Sequence, residues 1–214
     1  MHTFFQNRRD AGHKLANALL HHRGRQTAFI VLGLPRGGMP VAAEVARTLG
    51  APLDALVVRK LGMPGHNEYA MGALASGAVL VLDNRLIAAA GVKREAIEAV
   101  QVAEQDELLR REQCYRPGRP PLDLSGQEAI LVDDGLATGA TMQAAVLAAR
   151  QAGAAFITVA VPVGSVQACA RMEELADKVV CLHQPPDFQA VSIWYESFPQ
   201  TSDEEVASIL AHAQ

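Results

Sequence analysis

The fold of this 214-residue chain is decided by the segment Ile130-Leu131-Val132-Asp133-Asp134-Gly135-Leu136-Ala137-Thr138-Gly139-Ala140-Thr141. It starts with apolar residues, continues into two adjacent carboxylates, and ends in a turn of small residues that opens a helical pattern. This order predicts a buried strand, Glu128–Val132, followed by a helix over Thr141–Gln151. Small side chains let the backbone approach a ligand closely, and the free N–H groups of a helix start attract anions. The turn therefore predicts a phosphate site, with the hydroxyls of Thr138 and Thr141 as further donors.

The two carboxylates, Asp133 and Asp134, would repel a phosphate bound one turn away, so they need another partner. Vicinal sugar hydroxyls, which donate hydrogen bonds, or a divalent cation would satisfy them. The alternative is that both residues merely cap a helix, but one Asp suffices for a cap. Exposing a pair at the end of a buried strand is costly without a ligand or cation. A phosphate at one end and a diol at the other describe ribose 5-phosphate.

Along the rest of the chain, short apolar strands alternate with helical patterns, which indicates βαβ units and a parallel sheet covered on both faces. In such sheets, ligands bind beyond the carboxyl ends of the strands. The segment Leu61–Gly77 holds four glycines and little periodicity, and it is predicted to be a loop. The other predicted strands are Ala28–Leu34, Leu53–Arg59, Val79–Leu82, Phe156–Val161 and Val179–Leu182, and the other predicted helices are 8–22, Met39–Leu49, 93–113, Ser165–Ala176 and a terminal helix that begins near Asp203.

Composition narrows the class of protein. Half of the residues are hydrophobic, a fifth are charged, and the net charge is −4, which argues against a nucleic-acid partner because phosphate backbones select basic faces. Cys114, Cys169 and Cys181 are odd in number and lack CxxC spacing, so neither a disulfide framework nor a zinc site is expected. Neither a signal peptide nor an apolar run long enough to span a membrane is evident. We expect a cytoplasmic protein without a membrane partner.

At Val132–Thr141 the sequence resembles the type I phosphoribosyltransferases, whose signature is an apolar strand, two acidic residues and a Thr-Gly-rich turn that ends in Thr or Ser. The resemblance implies that fold: α/β, with three layers, a parallel sheet flanked by helices, a small hood and a helical insertion. It also implies that Asp133 and Asp134 hold the ribose hydroxyls of phosphoribosyl pyrophosphate. The residues implied to wrap its 5-phosphate are Ala137, Thr138, Gly139, Ala140 and Thr141.

Two further loops match this family in the right order. Leu34-Pro35-Arg36-Gly37-Gly38 resembles its pyrophosphate loop, and Arg59-Lys60 resembles the basic pair that precedes its mobile lid. By this resemblance, Arg36, Gly37, Gly38, Arg59 and Lys60 bind pyrophosphate. Arg36, Lys60, Asp133 and Asp134 are the implied catalytic residues. Mg²⁺ is expected as a cofactor held through the substrate rather than by an all-protein site, because it prefers waters and substrate oxygens; a contact with Asp133 or Asp134 is the alternative. The alternative for Leu34–Gly38 is a simple turn between a strand and a helix. The alternative for Arg59 and Lys60 is a pair of solvated charges without a ligand.

Further segments resemble a bacterial group of phosphoribosyltransferases whose substrates are unassigned. They are Asn7–Gly12, Leu34–Ala42, Val58–Gly65 and Ile193–Tyr195. We expect a single domain over residues 1–214, with a core at about 26–183, a helical insertion at about 84–124, and a hood with the C-terminal helix at about 184–214.

The sequence departs from the family pattern where the acceptor is handled. The 6-oxopurine enzymes have an Asp before the Thr-Gly pair, and Ala137 stands there in this chain. They also carry a Lys after the next strand, where this chain has Val161-Pro162-Val163-Gly164. Glu68 or His66 in the predicted lid could supply a general base. Phe188 and Trp194 in the hood could stack on an acceptor base or pack against the sheet.

Two functions from different classes follow from the resemblance. The first is a glycosyltransferase that makes a ribonucleotide from an unidentified base or amine and releases pyrophosphate. The second is a regulator or sensor that binds phosphoribosyl pyrophosphate or a nucleotide without turnover. The oligomeric state is open, and one alternative is a homodimer with Leu15 and Leu19 of the first helix in its contact.

Overall fold

The computed structural model describes residues 3–22, 28–77 and 79–213 and, of residues 66–69, the backbone alone. Seven α-helices, two short 3-10 helices (Leu20–His22 and Val191–Trp194) and eight strands lie in these ranges. In chain order the α-helices and strands are α1 (Arg8–Ala18), β1 (Phe29–Gly33), α2 (Gly38–Leu49), β2 (Leu53–Ala55), β3 (Val58–Met63), β4 (His66–Ala75), β5 (Val79–Leu82), α3 (Asn84–Ala90), α4 (Arg94–Tyr115), β6 (Glu128–Val132), α5 (Ala140–Gln151), β7 (Phe156–Val163), α6 (Val166–Glu173), β8 (Lys178–His183) and α7 (Asp203–His212).

The central sheet has five strands in the order β2-β1-β6-β7-β8, and all neighbouring pairs are parallel. Successive residues of a strand point to opposite faces, and β6 shows the consequence. Ala129 and Leu131 pack in one cluster with α5 and α6, whereas Ile130 and Val132 pack in another with α1, α2 and α7. The predicted parallel sheet with helices on both faces is therefore confirmed.

A second, antiparallel sheet of three strands has the order β3-β4-β5. The prediction that residues 61–77 form a loop is wrong, because β3 and β4 make a hairpin there, and the second predicted strand is split into β2 and β3. Leu61, Met71 and Leu74 are buried in this hairpin. A Cβ on Gly72 would collide with the carbonyl oxygen of Val81, so the glycine permits close strand pairing that the sequence pattern did not reveal.

Two helices connect the small sheet to β6. The sequence predicted α4 to within two residues at each end, but it missed α3, a helix of seven residues with Asp83 as its N-cap. Asp83 accepts hydrogen bonds from two backbone N–H groups, of Arg85 and Leu86. On α4, Leu108 and Tyr115 are buried. The division of the chain into core, insertion and hood stays a prediction.

The N-terminal residues pair with the segment that follows β8. The N–H groups of Phe4 and Phe5 donate to the carbonyl oxygen of Trp194, and the N–H of Glu196 donates to that of Phe5. Leu15 and Leu19 of the adjoining first helix are fully buried inside the chain. They pack in the cluster that contains α2, so the predicted dimer contact through these two residues is wrong.

The helices and the cysteines bear on the expectations from the sequence about membrane spans and disulfides. Within the described ranges, none of the helices combines the length and apolar character needed to cross a membrane. Cys114, Cys169 and Cys181 are all free thiols, with Cys169 buried and the other two half-buried.

The C-terminal end of α4 is tied to the central sheet by a buried ion pair. The Arg116 guanidinium binds Asp54 of β2 through two bonds, Nε–Oδ1 at 2.9 Å and Nη2–Oδ2 at 3.1 Å. Both side chains are at most 10% exposed, and Arg119 reaches the same carboxylate at 3.2 Å. Breaking such a pair is costly because the remaining charge stays buried.

We predict that Asp54→Asn lowers the free energy of unfolding by about 3 kcal/mol, because two arginines then lack their counter-charge. Glu98→Gln is the matched control, since it removes the carboxylate of the exposed Arg94–Glu98 pair on α4 and should leave the free energy of unfolding unchanged. Urea denaturation of the two variants gives the comparison. Equal stability of both variants would contradict a structural role for the Asp54 pair.

Candidate functional site

The predicted pyrophosphate loop and the acidic pair lie side by side, because β1 and β6 are neighbours in the sheet and both loops follow the carboxyl ends of these strands. The N–H of Leu34 donates to the carbonyl oxygen of Val132 at 2.9 Å. A Cβ on Gly37 would overlap the Asp134 carboxylate, and a Cβ on Gly38 would lie 2.6 Å from the Val132 carbonyl oxygen. These two glycines therefore allow the loops to approach each other. The Pro35–Arg36 peptide bond between the strand and these glycines is cis.

Each carboxylate of the acidic pair uses one oxygen within the protein. Oδ1 of Asp133 accepts the backbone N–H of Asp134 at 2.9 Å, and Oδ2 of Asp134 accepts Nε–H of Arg8 at 2.8 Å. The Tyr195 hydroxyl donates to the backbone carbonyl of Asp134 at 2.5 Å. Among the described residues, no other residue bonds to the second oxygen of either carboxylate, and the Asp134 carboxyl also interacts with its own backbone N–H. One acceptor oxygen on each Asp is thus free of bonds to other residues.

Burial dominates the electrostatics of this pair. It raises the pKa of the Asp133 carboxyl well above its usual range, and the neighbouring charge of Asp134 adds to the rise. Burial also raises the pKa of Asp134, but the Arg8 guanidinium opposes that rise. The two acids therefore differ: Asp134 has a cationic partner, whereas Asp133 faces the charge of its neighbour.

The small-residue turn is exposed at three of the five positions predicted to bind phosphate, whereas Gly139 is buried and Ala140 is half-buried. Ala137, Thr138 and Thr141 are exposed, and Gly139 has a left-handed backbone with φ +81° that other residues rarely adopt. Within the described ranges, the backbone N–H groups of residues 137, 138, 139 and 141 donate to no protein acceptor. The N–H of Ala140 has only a long contact of 3.5 Å to the Thr138 hydroxyl. Free donors around a helix start suit an anion.

The turn is held from behind by the end of β7. The N–H of Leu136 donates to the carbonyl of Val163 at 2.9 Å, and the N–H of Ser165 donates to the carbonyl of Leu136 at the same distance. The Ser165 hydroxyl also donates to the carbonyl of Ala137 at 2.7 Å. These bonds fix the backbone of the turn, and within the described residues the N–H groups of residues 137–139 and 141 stay free. Val191 covers the side of the turn near Gly135. A Cβ atom added to Gly135 would lie only 2.5 Å from Cγ1 of Val191.

Arg36 has an acidic neighbour in the C-terminal helix. Its Nη1 lies 3.6 Å from Oδ1 of Asp203, at the first residue of α7. The Tyr115 hydroxyl donates to the same oxygen at 2.5 Å, and Arg110 lies 3.2 Å from Oδ2. The Tyr115 bond lowers the pKa of the Asp203 carboxyl, and the arginines add to this effect. Asp203 thus joins the predicted pyrophosphate loop to α4 and α7.

The adjacent basic residues Arg59 and Lys60 are separated by the strand geometry of β3. Arg59 makes an ion pair of 2.6 Å with Glu104 of α4. Lys60 is exposed and pairs across the hairpin with Ala73, which packs in the cluster containing α5. Since neighbouring residues of a strand face opposite sides, the Lys60 side chain starts from the face of β3 that packs against α5, and the Arg59 side chain starts from the face towards α4.

Aromatic residues of the predicted hood, which follows β8, form a compact cluster with Phe4 and Phe5. The Phe4 ring stacks on Trp194 with centroids 5.0 Å apart and on His183 with centroids 4.0 Å apart. Trp194 is 5% exposed, and its buried Nε1 lacks a hydrogen-bond partner among the described residues. Phe188 is half-buried against the same cluster. Trp194 thus packs between the hood and the N-terminal segment, and a base could stack on its ring only if Phe4 moved.

Sequence reasoning missed several residues that touch the site. Arg8 and Tyr195 both bind Asp134, Asp203 contacts Arg36, and Ser165 holds the turn. Arg8 and Tyr195 lie in segments that carried the family resemblance, but a separation of 126 residues between Arg8 and Asp134 leaves no local signal for their contact. The side chains of His66 and Glu68 lie outside the described residues, so their predicted role as a base stays a prediction.

A five-stranded parallel sheet, covered by helices on both faces and joined to a small antiparallel sheet, is the fold of the type I phosphoribosyltransferases. Residues 5–196 match the family model described as the phosphoribosyl transferase domain. The chain belongs to this family, which is a family of glycosyltransferases of the pentosyltransferase type.

Similar proteins support the same assignment. Two proteins from different Mycobacterium tuberculosis strains, named "Putative phosphoribosyl transferase" MT0597 and Rv0571c, are each 47% identical over 209 residues, which is 98% of this chain and 47% of theirs. The chain thus spans about half the length of these curated relatives. The crystal structure of TT1426 from Thermus thermophilus has a TM-score of 0.84 at 42% identity over 99% of both chains. A hypothetical Neisseria gonorrhoeae protein with bound ppGpp, at 13% identity over 100% of both chains and a TM-score of 0.51, shows a likeness of fold alone.

We predict that Asp133→Asn stabilises the unliganded protein. Because the folded-state pKa of Asp133 is raised, the native state binds more protons than the unfolded chain, and its stability falls as pH rises towards and through that pKa. Asparagine removes the charge and keeps an oxygen for the N–H of Asp134. The expected gain at pH 8 is about 2–4 °C in melting temperature for each kcal/mol recovered, and the gain should shrink towards pH 5.

Asp134→Asn is the matched control for this prediction, because it leaves the guanidinium of Arg8, 11% exposed, without its carboxylate. Because the Arg8 guanidinium opposes the rise in the Asp134 pKa, the melting temperature of Asp134→Asn at pH 8 should rise less than that of Asp133→Asn. Thermal denaturation of both variants between pH 5 and 8 measures the difference. A lower melting temperature for Asp133→Asn at pH 8 would show that its charge is not a source of instability.

Proposed function

We propose that this domain binds phosphoribosyl pyrophosphate and transfers its phosphoribosyl group to a nitrogenous base or amine, with release of pyrophosphate. The observation that carries the proposal is the pairing of two open carboxylate oxygens, on Asp133 and Asp134, with a turn of free backbone N–H groups. Carboxylates accept hydrogen bonds from hydroxyls, and amides at a helix start bind phosphate. This combination suits a ribose 5-phosphate and suits few other small molecules.

In this proposal, the 5-phosphate binds to the backbone of Ala137, Thr138, Gly139, Ala140 and Thr141, with the two threonine hydroxyls as further donors. The bonds from Leu136 and Ser165 behind the turn mean that its donors are set before the ligand arrives. Preorganised donors cost little reorganisation on binding. Asp133 and Asp134 would each accept one hydrogen from the vicinal ribose hydroxyls.

Negative charge builds on pyrophosphate as it leaves C1 of the ribose. We propose that Arg36, Lys60 and the backbone of Gly37 and Gly38 stabilise this charge. To bind pyrophosphate, the Arg36 side chain would have to give up only its 3.6 Å contact with Asp203. Arg59 would take part only by giving up its 2.6 Å pair with Glu104, which makes Lys60 the more available cation of that pair.

The donor set of the site suits Mg²⁺ held through the substrate. The described residues contain no group of three or more His, Cys, Asp or Glu side chains that could hold a metal, and Arg8 already occupies one oxygen of Asp134. Oxygens of the pyrophosphate and water would therefore supply the ligands. When bound there, Mg²⁺ neutralises charge on the leaving group.

A non-catalytic regulator is the second candidate function, and Ala137 favours it. That exposed position of the turn carries no group that could take a proton from an acceptor. The two functions differ in one measurable property, the release of pyrophosphate. A panel of purines, pyrimidines and simple amines, each presented with phosphoribosyl pyrophosphate and Mg²⁺, separates them. Release with any acceptor supports transfer, whereas binding without release across the panel supports the regulator.

We predict that the double variant Asp133→Asn, Asp134→Asn loses binding of phosphoribosyl pyrophosphate while it stays folded. Both substitutions remove charge from acceptors of the ribose hydroxyls, and a hydrogen bond to a charged group contributes about 1.5–3 kcal/mol. Calorimetry should show at least a hundredfold weaker binding, with circular dichroism as the control for folding. Unchanged affinity would refute the assignment of these residues to the ribose.

We also predict that Lys60→Ala slows turnover more than it weakens binding of ribose 5-phosphate, because Lys60 should meet the pyrophosphate half of the substrate. Arg94→Ala, which removes an exposed cation from α4, is the control for a general effect of charge. Steady-state rates and the dissociation constant of ribose 5-phosphate give the two quantities. An equal loss in both would count against this role.

A further inference from the structure

Arg8 is built into the acidic pair although it belongs to the other end of the chain. Its Nε donates to Oδ2 of Asp134 at 2.8 Å, and its Nη1 donates to the carbonyl oxygen of Pro199 at 2.5 Å. The guanidinium carbon lies 3.7 Å from the centroid of the Phe198 ring. With 11% of its side chain exposed, Arg8 is held from three sides. A planar guanidinium fixed in this way orients the carboxylate that it binds.

The local structure of the N-terminal segment fixes Arg8 at this position. Arg8 is the first residue of α1, and the Asn7 side chain caps that helix by accepting the N–H groups of Arg9 and Asp10. The segment before it pairs with the hood through the N–H of Ser197, which donates to the carbonyl of Gln6. The backbone is thus tied on both sides of Arg8, which limits the freedom that the long side chain would otherwise have.

The bonds of Arg8 determine which oxygens of the acidic pair stay available. Arg8 occupies Oδ2 of Asp134, and the backbone N–H of Asp134 occupies Oδ1 of Asp133. One oxygen is left on each carboxylate, and the two residues are adjacent in the chain. Two hydroxyls on neighbouring carbons present a matching pair of donors. If Arg8 were absent, the Asp134 carboxylate could rotate, and a buried charge would lack its partner.

We propose that Arg8 is a positioning residue that makes the site select a vicinal diol, and therefore ribose rather than a deoxyribose. The proposal rests on the proposed function, since it assigns the acidic pair to the sugar. It gives Arg8 no contact with the substrate: Arg8 acts through the orientation and charge of Asp134. The neighbouring Arg9 is exposed and is one residue further along the same helix, which provides a matched control.

The test compares four ligands: ribose 5-phosphate, its 2-deoxy and 3-deoxy analogues, and inorganic phosphate. Calorimetry gives their affinities for the wild type, Arg8→Gln, Arg8→Lys and Arg9→Gln. The wild type and Arg9→Gln should prefer ribose 5-phosphate over at least one deoxy analogue by roughly 10–100-fold, the value of one hydrogen bond to a charged group. Arg8→Gln should lose most of this preference and keep its affinity for phosphate, and Arg8→Lys should lie between them.

The outcomes separate the two proposals. If the wild type binds none of the sugar phosphates, the proposed function and the role of Arg8 both fail. If the wild type prefers ribose 5-phosphate and Arg8→Gln keeps the same preference, the role of Arg8 alone fails. Equal weakening for all four ligands would show that Arg8 only holds the hood to the core, and it also overturns the proposal. Should Arg8→Gln not fold, Arg8→Lys decides the question, since it keeps the charge but loses the fixed fork.

Discussion

The structure of this site depends on two adjacent carboxylates placed at the end of a fully buried strand. Asp133 and Asp134 follow β6, whose five residues are all buried, and burial raises the pKa of both groups. The Arg8 guanidinium reduces this cost at Asp134 through a direct ion pair, whereas within the described residues Asp133 has no direct ion pair and feels the Arg8 charge only from further away. Burying these two charges costs stability as long as no ligand is bound. A ligand that donates hydrogen bonds to the carboxylates offsets this cost, which favours its binding.

Residues near both ends of the chain contact the site that follows β6. Arg8 comes from the first helix, Tyr195 from the hood and Asp203 from the last helix, and they contact the acidic pair or the neighbouring Arg36. The central sheet supplies the two loops, and the terminal segments supply the side chains that orient them. This division explains why the hood and the N-terminal residues pair with each other through their backbones.

The sequence predicted most of the fold because apolar periodicity reports burial directly. The strand Glu128–Val132 was predicted with the bounds that it has, and the helices around it agree to within a few residues. The hairpin of β3 and β4 was missed because its glycines resemble those of a loop, whereas Gly72 permits close strand pairing and Gly65 lies in the turn between the strands with a left-handed backbone. Helix α3 was missed because it is short and has no buried residue, so it leaves no apolar stripe to read.

By itself, the sequence determined the acidic pair, the small-residue turn and the glycine loop, since each is a run of consecutive residues whose chemistry is local. Tertiary structure alone decided that Arg8 binds Asp134, that Asp203 lies beside Arg36, and that Trp194 is covered by Phe4. It also decided that Arg59 and Lys60, adjacent in sequence, face opposite sides of β3. The physical reason is that such contacts join residues far apart in the chain, or follow from the alternation of a strand that the local pattern did not reveal.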